Sequence, residues 1–148
     1  MCSPGAAPRP DGKTQAAAIR MALDEAGYTS DDVLYINAHG TGTALNDVSE
    51  TAAFKLALGQ DAYKAHVSSI KGATGHMLGA AGAAEALASV LALKNGVVPP
   101  TLNLDEIDPE CDLDYTPNTP VKADLTIAIS DSLGFGGHNG CVAFRKLS

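Results

Sequence analysis

At 148 residues, with 45 % hydrophobic and 18 % charged positions, the chain has room for one ordinary soluble domain, which excludes a disordered, collagen-like or coiled-coil polypeptide. Ten Lys and Arg against seventeen Asp and Glu leave a net charge of −7 that repels nucleic-acid phosphates and anionic membrane surfaces, so neither is an expected partner. The three cysteines, Cys2, Cys111 and Cys141, have neither metal-ligand spacing nor the density of a secreted disulfide scaffold, and they suit a reducing, cytoplasmic compartment.

The opening MCSPGAAPRPDG lacks the basic start and apolar core of a targeting peptide; its prolines and glycines predict an extended linker over 1–10 and a domain over 11–148. Asp11 is a candidate cap for a helix carrying Ile19, Met21, Leu23 and Ala26, stopped by Gly27. VLYINA predicts a strand buried on both faces, running directly into HGTGT. Asp47 with Glu50 three residues on resembles a capping box, opening a helix that ends near Leu58. A second strand is expected over 66–70. KGATGH then reads as a glycine-rich loop into a long helix over 77–94, closed by Asn95 and Gly96. The proline-rich, acidic stretch over 97–120 is expected to wrap the surface without regular structure. A strand over 125–130, the glycine turn GFGGHNG and a returning strand over 141–146 close the chain as an antiparallel pair.

Strands alternating with helices predict an α/β architecture with a mostly parallel sheet and one antiparallel strand. Ligands in such sheets gather beyond the carboxyl ends of the strands, which here carry His39, then Lys71 with His76, then Phe135 among its glycines. The long helix bears Ala and Gly on every side, so it needs cover on every side. One four-stranded sheet covers a single face, and a second sheet from another segment or subunit is expected on the other.

His39 ends its strand and is followed by Gly40 and Gly42, which permit a tight turn, and by the hydroxyls of Thr41 and Thr43. It reads as a donor or general base facing a carbonyl, or as a histidine that merely packs. His76, placed at a helix start, is kept neutral by the dipole and suits donation to a developing oxyanion. Glu85, nine residues further on the buried helix, needs a partner, and Lys71 is the best placed, unless Lys71 is a solvated loop residue. GFGGHNG lacks the following helix of a dinucleotide fingerprint, which leaves Phe135 either as an aromatic beside a pocket or as the tip of a plain hairpin. His39, His66, His76 and His138 stand at no ligand spacing, so no metal and no cofactor are expected. Cys111 among acids and Cys141 on a strand read as structural.

Taken together, NAHGTGT, SSIKGATGHMLGAAGAAEA, VPPTLNLDEIDPECDLDYTPN and SLGFGGHNG resemble the carboxyl-terminal half of the β-ketoacyl-acyl carrier protein synthases, elongating condensing enzymes of the thiolase fold, from about Pro8 onward. The resemblance implies a thiolase-like half-domain and a share in the decarboxylating condensation of malonyl-acyl carrier protein with an acyl thioester, in fatty acid synthesis. It implies that His39 and His76 bind the malonyl thioester carbonyl and stabilise the enolate, with Lys71 as the lysine of the site and Glu85 as its acid. Phe135 matches the gating phenylalanine, carried on flexible glycines with Gly136 beside the substrate; Thr41 and Thr43 would line the pantetheine channel.

The implied partners are the acyl carrier protein, an amino-terminal half carrying the nucleophilic cysteine, and a second copy in a homo-oligomer. Asp131, Ser132 and Leu133 stand where the family usually has Asn, Ser and Phe; Gly72 and Ala73 replace a bulkier pair, and His138 stands where Thr is common. No segment resembles the surroundings of the nucleophilic cysteine. Alone, the chain is therefore expected to condense nothing and to associate through uncovered apolar faces. Two alternatives stay open: a carrier-binding or pairing piece without chemistry, and a piece of a polyketide synthase.

Overall fold

The computed structural model describes residues 11–147; the linker expected over 1–10 lies outside them. The first helix, α1 (Lys13–Glu25), is capped by Gly12, and Asp11 accepts the Lys13 N–H at 3.2 Å from one position further out. After the turn at Gly27 comes β1 (Leu34–Asn37), four residues buried on both faces as VLYINA predicts. Then follow α2 (Ala44–Leu58), β2 (His66–Ser68), the single helical turn α3 (Lys71–Thr74) and α4 (Ala81–Asn95). Two short strands, β3 (Val97–Val98) and β4 (Val121–Lys122), precede the closing hairpin of β5 (Ile127–Gly134) and β6 (His138–Arg145).

The main sheet has the order β2-β1-β5-β6, with β1 parallel to both β2 and β5 and β6 antiparallel to β5. This is the mostly parallel α/β sheet with one antiparallel strand read from the sequence. Alternation along the strands sends side chains to two layers. Leu34, Ile36, Ile127 and Ile129 pack with Ile19, Leu23 and Phe54 of α1 and α2; Tyr35 and Ala128 pack with Ala92 and Leu93 of α4. Each large apolar side chain so buried contributes about 1.5–3 kcal/mol. Arg145 locks the far edge: its guanidinium donates to the carbonyls of Ala26 and Gly27 and, through two nitrogens, to the Asp32 carboxylate at 2.9 Å.

Several boundaries differ from the sequence reading, each for a local reason. Thr43 and not Asp47 precedes the first residue of α2, so Asp47 and Glu50 form no capping box; Glu50 is buried instead and serves the neighbouring loop. KGATGH is not a plain loop, because Lys71–Thr74 closes a helical turn on the Ile70 carbonyl before Gly75 ends it at φ 70. The long helix starts at Ala81, after a 3₁₀ turn at Leu78–Ala80, so His76 lies ahead of the helix and not on its first turn.

The stretch over 97–120 does hold regular pairing. β3 and β4 form a small antiparallel sheet, and Thr101 bridges to Pro117. Backbone around Asp114 and Thr116 covers β2, with the Val67 N–H donating to the Asp114 carbonyl and Thr116 Oγ1 to the Val67 carbonyl. Both hairpin strands run to eight residues and reduce GFGGHNG to a three-residue turn. α4 presents Glu85, Ser89 and Ala92 to the sheet, while its opposite side leaves Leu87, Val90 and Leu91 exposed, Leu87 by 61 %. The uncovered face inferred from the all-round Ala and Gly pattern is thus present.

Candidate functional site

β1 delivers His39 to the carboxyl edge of the sheet, and the turn that follows requires glycine. Gly40 has φ 42, and a Cβ there would stand 2.5 Å from the Ser69 Cβ, so the two loops meet backbone to side chain. Ser69 fastens them: its hydroxyl donates to the Gly40 carbonyl at 2.9 Å and accepts the Lys71 N–H at 3.3 Å.

This approach brings two imidazoles together. The rings of His39 and His76 lie edge to face, with centroids 5.7 Å apart and planes at 86°. His39 is buried, and its Nδ1 has no partner among the described residues. Burial first, then the charge of Lys71, then His76 lower its pKa to about 4, so His39 is a neutral imidazole at physiological pH. His76 is exposed, and its Nδ1 accepts the Leu78 N–H at 3.1 Å. That bond leaves Nε2 to carry the proton, which replaces the helix-dipole argument as the reason His76 presents an N–H.

Beneath the pair, Lys71 is buried and not solvated. Its Nζ donates to Glu85 and to the His39 carbonyl, and Ser132 Oγ donates to the other Glu85 oxygen at 3.4 Å. From the opposite layer, Glu50 accepts the N–H groups of His39 at 2.7 Å and Gly40 at 2.9 Å. The peptide of His39 is therefore held at its N–H by a carboxylate of α2 and at its carbonyl by the ammonium of α3.

Thr41 is half-buried and Thr43 exposed, with hydroxyls 3.4 Å apart. They line a cavity of about 600 Å³ together with Lys71, His76, Leu102 and Tyr115. Phe135 and Gly136 are not brought to this cavity: Phe135 is 82 % exposed at the tip of the β5–β6 hairpin, and Gly136 turns that tip at φ 81. Thus the loops bearing His39 and His76 converge, and the Phe135 loop does not line the space between them. No cluster of metal-ligating side chains occurs among the described residues. Burial raises the pKa of the Cys111 thiol and pushes that of Cys141 up to about 12, so neither is an activated nucleophile.

Three supporting residues escaped sequence reading. Glu50 has the spacing of a cap, yet it lies on the same stripe of α2 as Ala53 and Phe54, where a carboxylate needs internal donors. Ser69 carries no signal beyond its closeness to Lys71. Asp131 stands out in the sequence only as a departure from the family pattern, and the fold buries it on β5 with Gln15 Nε2 donating to its Oδ2.

The Beta-ketoacyl synthase, C-terminal domain family matches residues 3–105. The chain belongs to that family. It is 52 % identical over 140 residues to 3-oxoacyl-[acyl-carrier-protein] synthase 2 of Synechocystis sp., covering 95 % of this chain and 34 % of the relative. It is 55 % identical over 138 residues to the tetracenomycin polyketide synthase ketoacyl synthase alpha subunit of Streptomyces glaucescens, covering 93 % and 32 %.

Among solved structures, the ketoacyl synthase domain superposes with a TM-score of 0.92 and 38 % identity on a chain of AntDE:AntF, a type II PKS acyl-carrier protein in complex with its ketosynthase bound to the hexaketide. That match covers 97 % of this chain and 35 % of the other. A Beta-ketoacyl synthase from Burkholderia phymatum STM815 gives 0.85 at 37 % identity, covering 94 % and 34 %. The thiolase-like ketosynthase fold is therefore that of this domain, and the chain spans about a third of the length of the curated relatives it matches.

Proposed function

We propose that the chain supplies the two-imidazole part of a decarboxylating condensation site acting on malonyl-acyl carrier protein, as a 3-oxoacyl synthase does. The observation that carries this reading is the edge-to-face contact of His39 and His76, two N–H-bearing rings from separate loops over a buried Lys71–Glu85 pair.

Decarboxylation breaks the bond between the malonyl carboxylate and its neighbouring carbon. Carbon dioxide leaves, and the electron pair collects on the thioester oxygen as an enolate. N–H groups of His39 and His76 donated to that oxygen stabilise the charge, each donor contributing about 2.7–4 kcal/mol. The depressed pKa of His39 keeps a second cation from forming beside Lys71. The enolate carbon then attacks the carbonyl carbon of the acyl thioester, and the bond from that carbon to sulfur breaks, the sulfur leaving as the thiolate of a cysteine held by the remainder of the enzyme. Thr41 and Thr43 line the cavity through which a pantetheine arm would approach, their hydroxyls suited to its amides. Phe135, on a glycine turn outside the cavity, would gate it by swinging inward. The fatty-acid pathway is the favoured setting, with the polyketide relative at 55 % identity as the competing one.

The test mixes this chain with a complementary amino-terminal half and follows release of carbon dioxide from malonyl-acyl carrier protein. Release is expected, with His39→Ala and His76→Ala each lowering the rate by about 10²-fold or more. An assembled, folded pair that releases none refutes the reading.

The exposed apolar face of α4 favours a second one, a pairing or carrier-binding piece that does no chemistry. In that case the pair assembles and binds malonyl-acyl carrier protein equally well with Ala at position 39.

A further inference from the structure

The run from Thr101 to Leu104 takes no part in the chemistry above, yet it walls the same cavity as Thr41 and Thr43. Ser69 joins the two segments: its hydroxyl donates to the Gly40 carbonyl, and its N–H donates to Thr101 Oγ1 at 3.1 Å. Asn118 pins the run at both ends. Its N–H donates to the Thr101 carbonyl at 2.9 Å, and its carboxamide accepts the Leu104 N–H at 3.3 Å and donates to the Leu104 carbonyl at 2.8 Å.

Between those ends the run is pressed against α3. Asn103, at φ 63, donates through Nδ2 to the Gly72 carbonyl at 3.3 Å. A Cβ at position 72 would stand 2.4 Å from the Leu102 carbonyl oxygen, a backbone atom that cannot swing aside. Glycine here therefore sets where Leu102 sits, at one of the two positions where the family usually has a bulkier pair. Leu102 is in consequence an apolar side chain on a fixed backbone, 37 % exposed at the cavity.

The cavity thus offers hydroxyls from one segment and a hydrocarbon wall from the other. Threonine hydroxyls match amides, whereas a leucine left partly open to water gains from apolar contact. A pantetheine arm presents both, two amides and then one branched apolar group, a carbon bearing two methyls. We propose that Leu102, seated by Gly72, is a specificity-determining residue that packs against that dimethyl carbon. The assignment rests on the cavity being the channel of the arm. Ile107 also lines it, 59 % exposed on the acidic run beyond Leu104, and supplies the control.

The experiment titrates the 148-residue chain, kept reduced, with pantetheine and with an analogue in which hydrogens replace the two methyls, and follows the amide signals in ¹H–¹⁵N spectra. The parent is expected to bind pantetheine about fivefold or more tighter than the analogue, Leu102→Ala to bind both alike, and Ile107→Ala to keep the preference of the parent. Gly72→Ala, which displaces the seat, is expected to narrow the preference, and a Gly72→Ala chain that keeps it in full refutes the seating. A preference that survives Leu102→Ala unchanged, that is absent from the parent, or that only Ile107→Ala removes, overturns the proposal, as does a folded parent that binds neither compound. Carbon dioxide release by the assembled pair, measured separately, tells such a failure from a failure of the condensing function. Should Leu102→Ala not fold, the ¹³C methyl signals of Leu102 in the parent decide: a larger shift with pantetheine than with the analogue supports the contact, and equal shifts refute it.

Discussion

Lys71→Met keeps the stem of the side chain and removes its charge. Glu85, whose side chain is 2 % exposed, then retains Ser132 Oγ at 3.4 Å as its side-chain donor and no countercharge within reach. Breaking a buried pair from one side costs about 3–5 kcal/mol, because the charge left behind is neither hydrated nor compensated. A domain of this size is stable by about 5–15 kcal/mol, so the variant unfolds at a much lower urea concentration. Glu85→Gln, introduced second, removes the stranded charge, and Lys71→Met/Glu85→Gln is expected to recover about 1–3 kcal/mol of that loss as coupling energy. Urea unfolding of the four proteins, read at equal denaturant slope, measures the cycle. A loss below about 1 kcal/mol for Lys71→Met, or strictly additive single effects, refutes the view that this pair is buried and mutually dependent.

Gly40→Ala is expected to lower stability by more than about 1 kcal/mol in thermal melts, since φ 42 and a 2.5 Å approach to Ser69 both oppose a Cβ. Gly27→Ala, at φ 66 with open space around it, is the control that carries the backbone penalty without the clash and should melt higher than Gly40→Ala. The imidazole signal of His39 should titrate near pH 4. Because the folded state refuses a proton that the unfolded chain accepts below about 6.5, the stability contributed by neutral His39 is complete above that pH and is lost as the pH falls toward 4. Lys71→Met should move the His39 midpoint upward, and an unmoved midpoint would show that the ammonium is electrically remote from the ring.

The sheet was legible because its strands announce themselves: VLYINA is apolar throughout and belongs to a strand covered on both faces. The pairing of Lys71 with Glu85 was legible for a related reason, since a carboxylate amid alanines on a buried helix must find a cation. What stayed hidden depends on the third dimension. Asp47 and Glu50 have the spacing of a cap, and only the approach of β1 to α2 turns Glu50 toward the amides of His39 and Gly40. The run from Lys71 to Ala80 reads as loop and helix start because glycine at 75 and 79 obscures where the turns close. The strand before Phe135 predicts that it joins the imidazoles, yet eight-residue pairing of β5 with β6 carries it out to the hairpin tip.

The two-sided hold on the His39 peptide makes that ring a gauge of the whole sandwich. Its amide is tied to the helix on one side of the sheet and its carbonyl to the ion pair rooted in the helix on the other. Any change that thickens or thins either flank, even one far from the imidazole, therefore displaces it in register with the spacing between the layers. Tolerance of substitution should follow volume conservation across the sheet more closely than distance from the histidines.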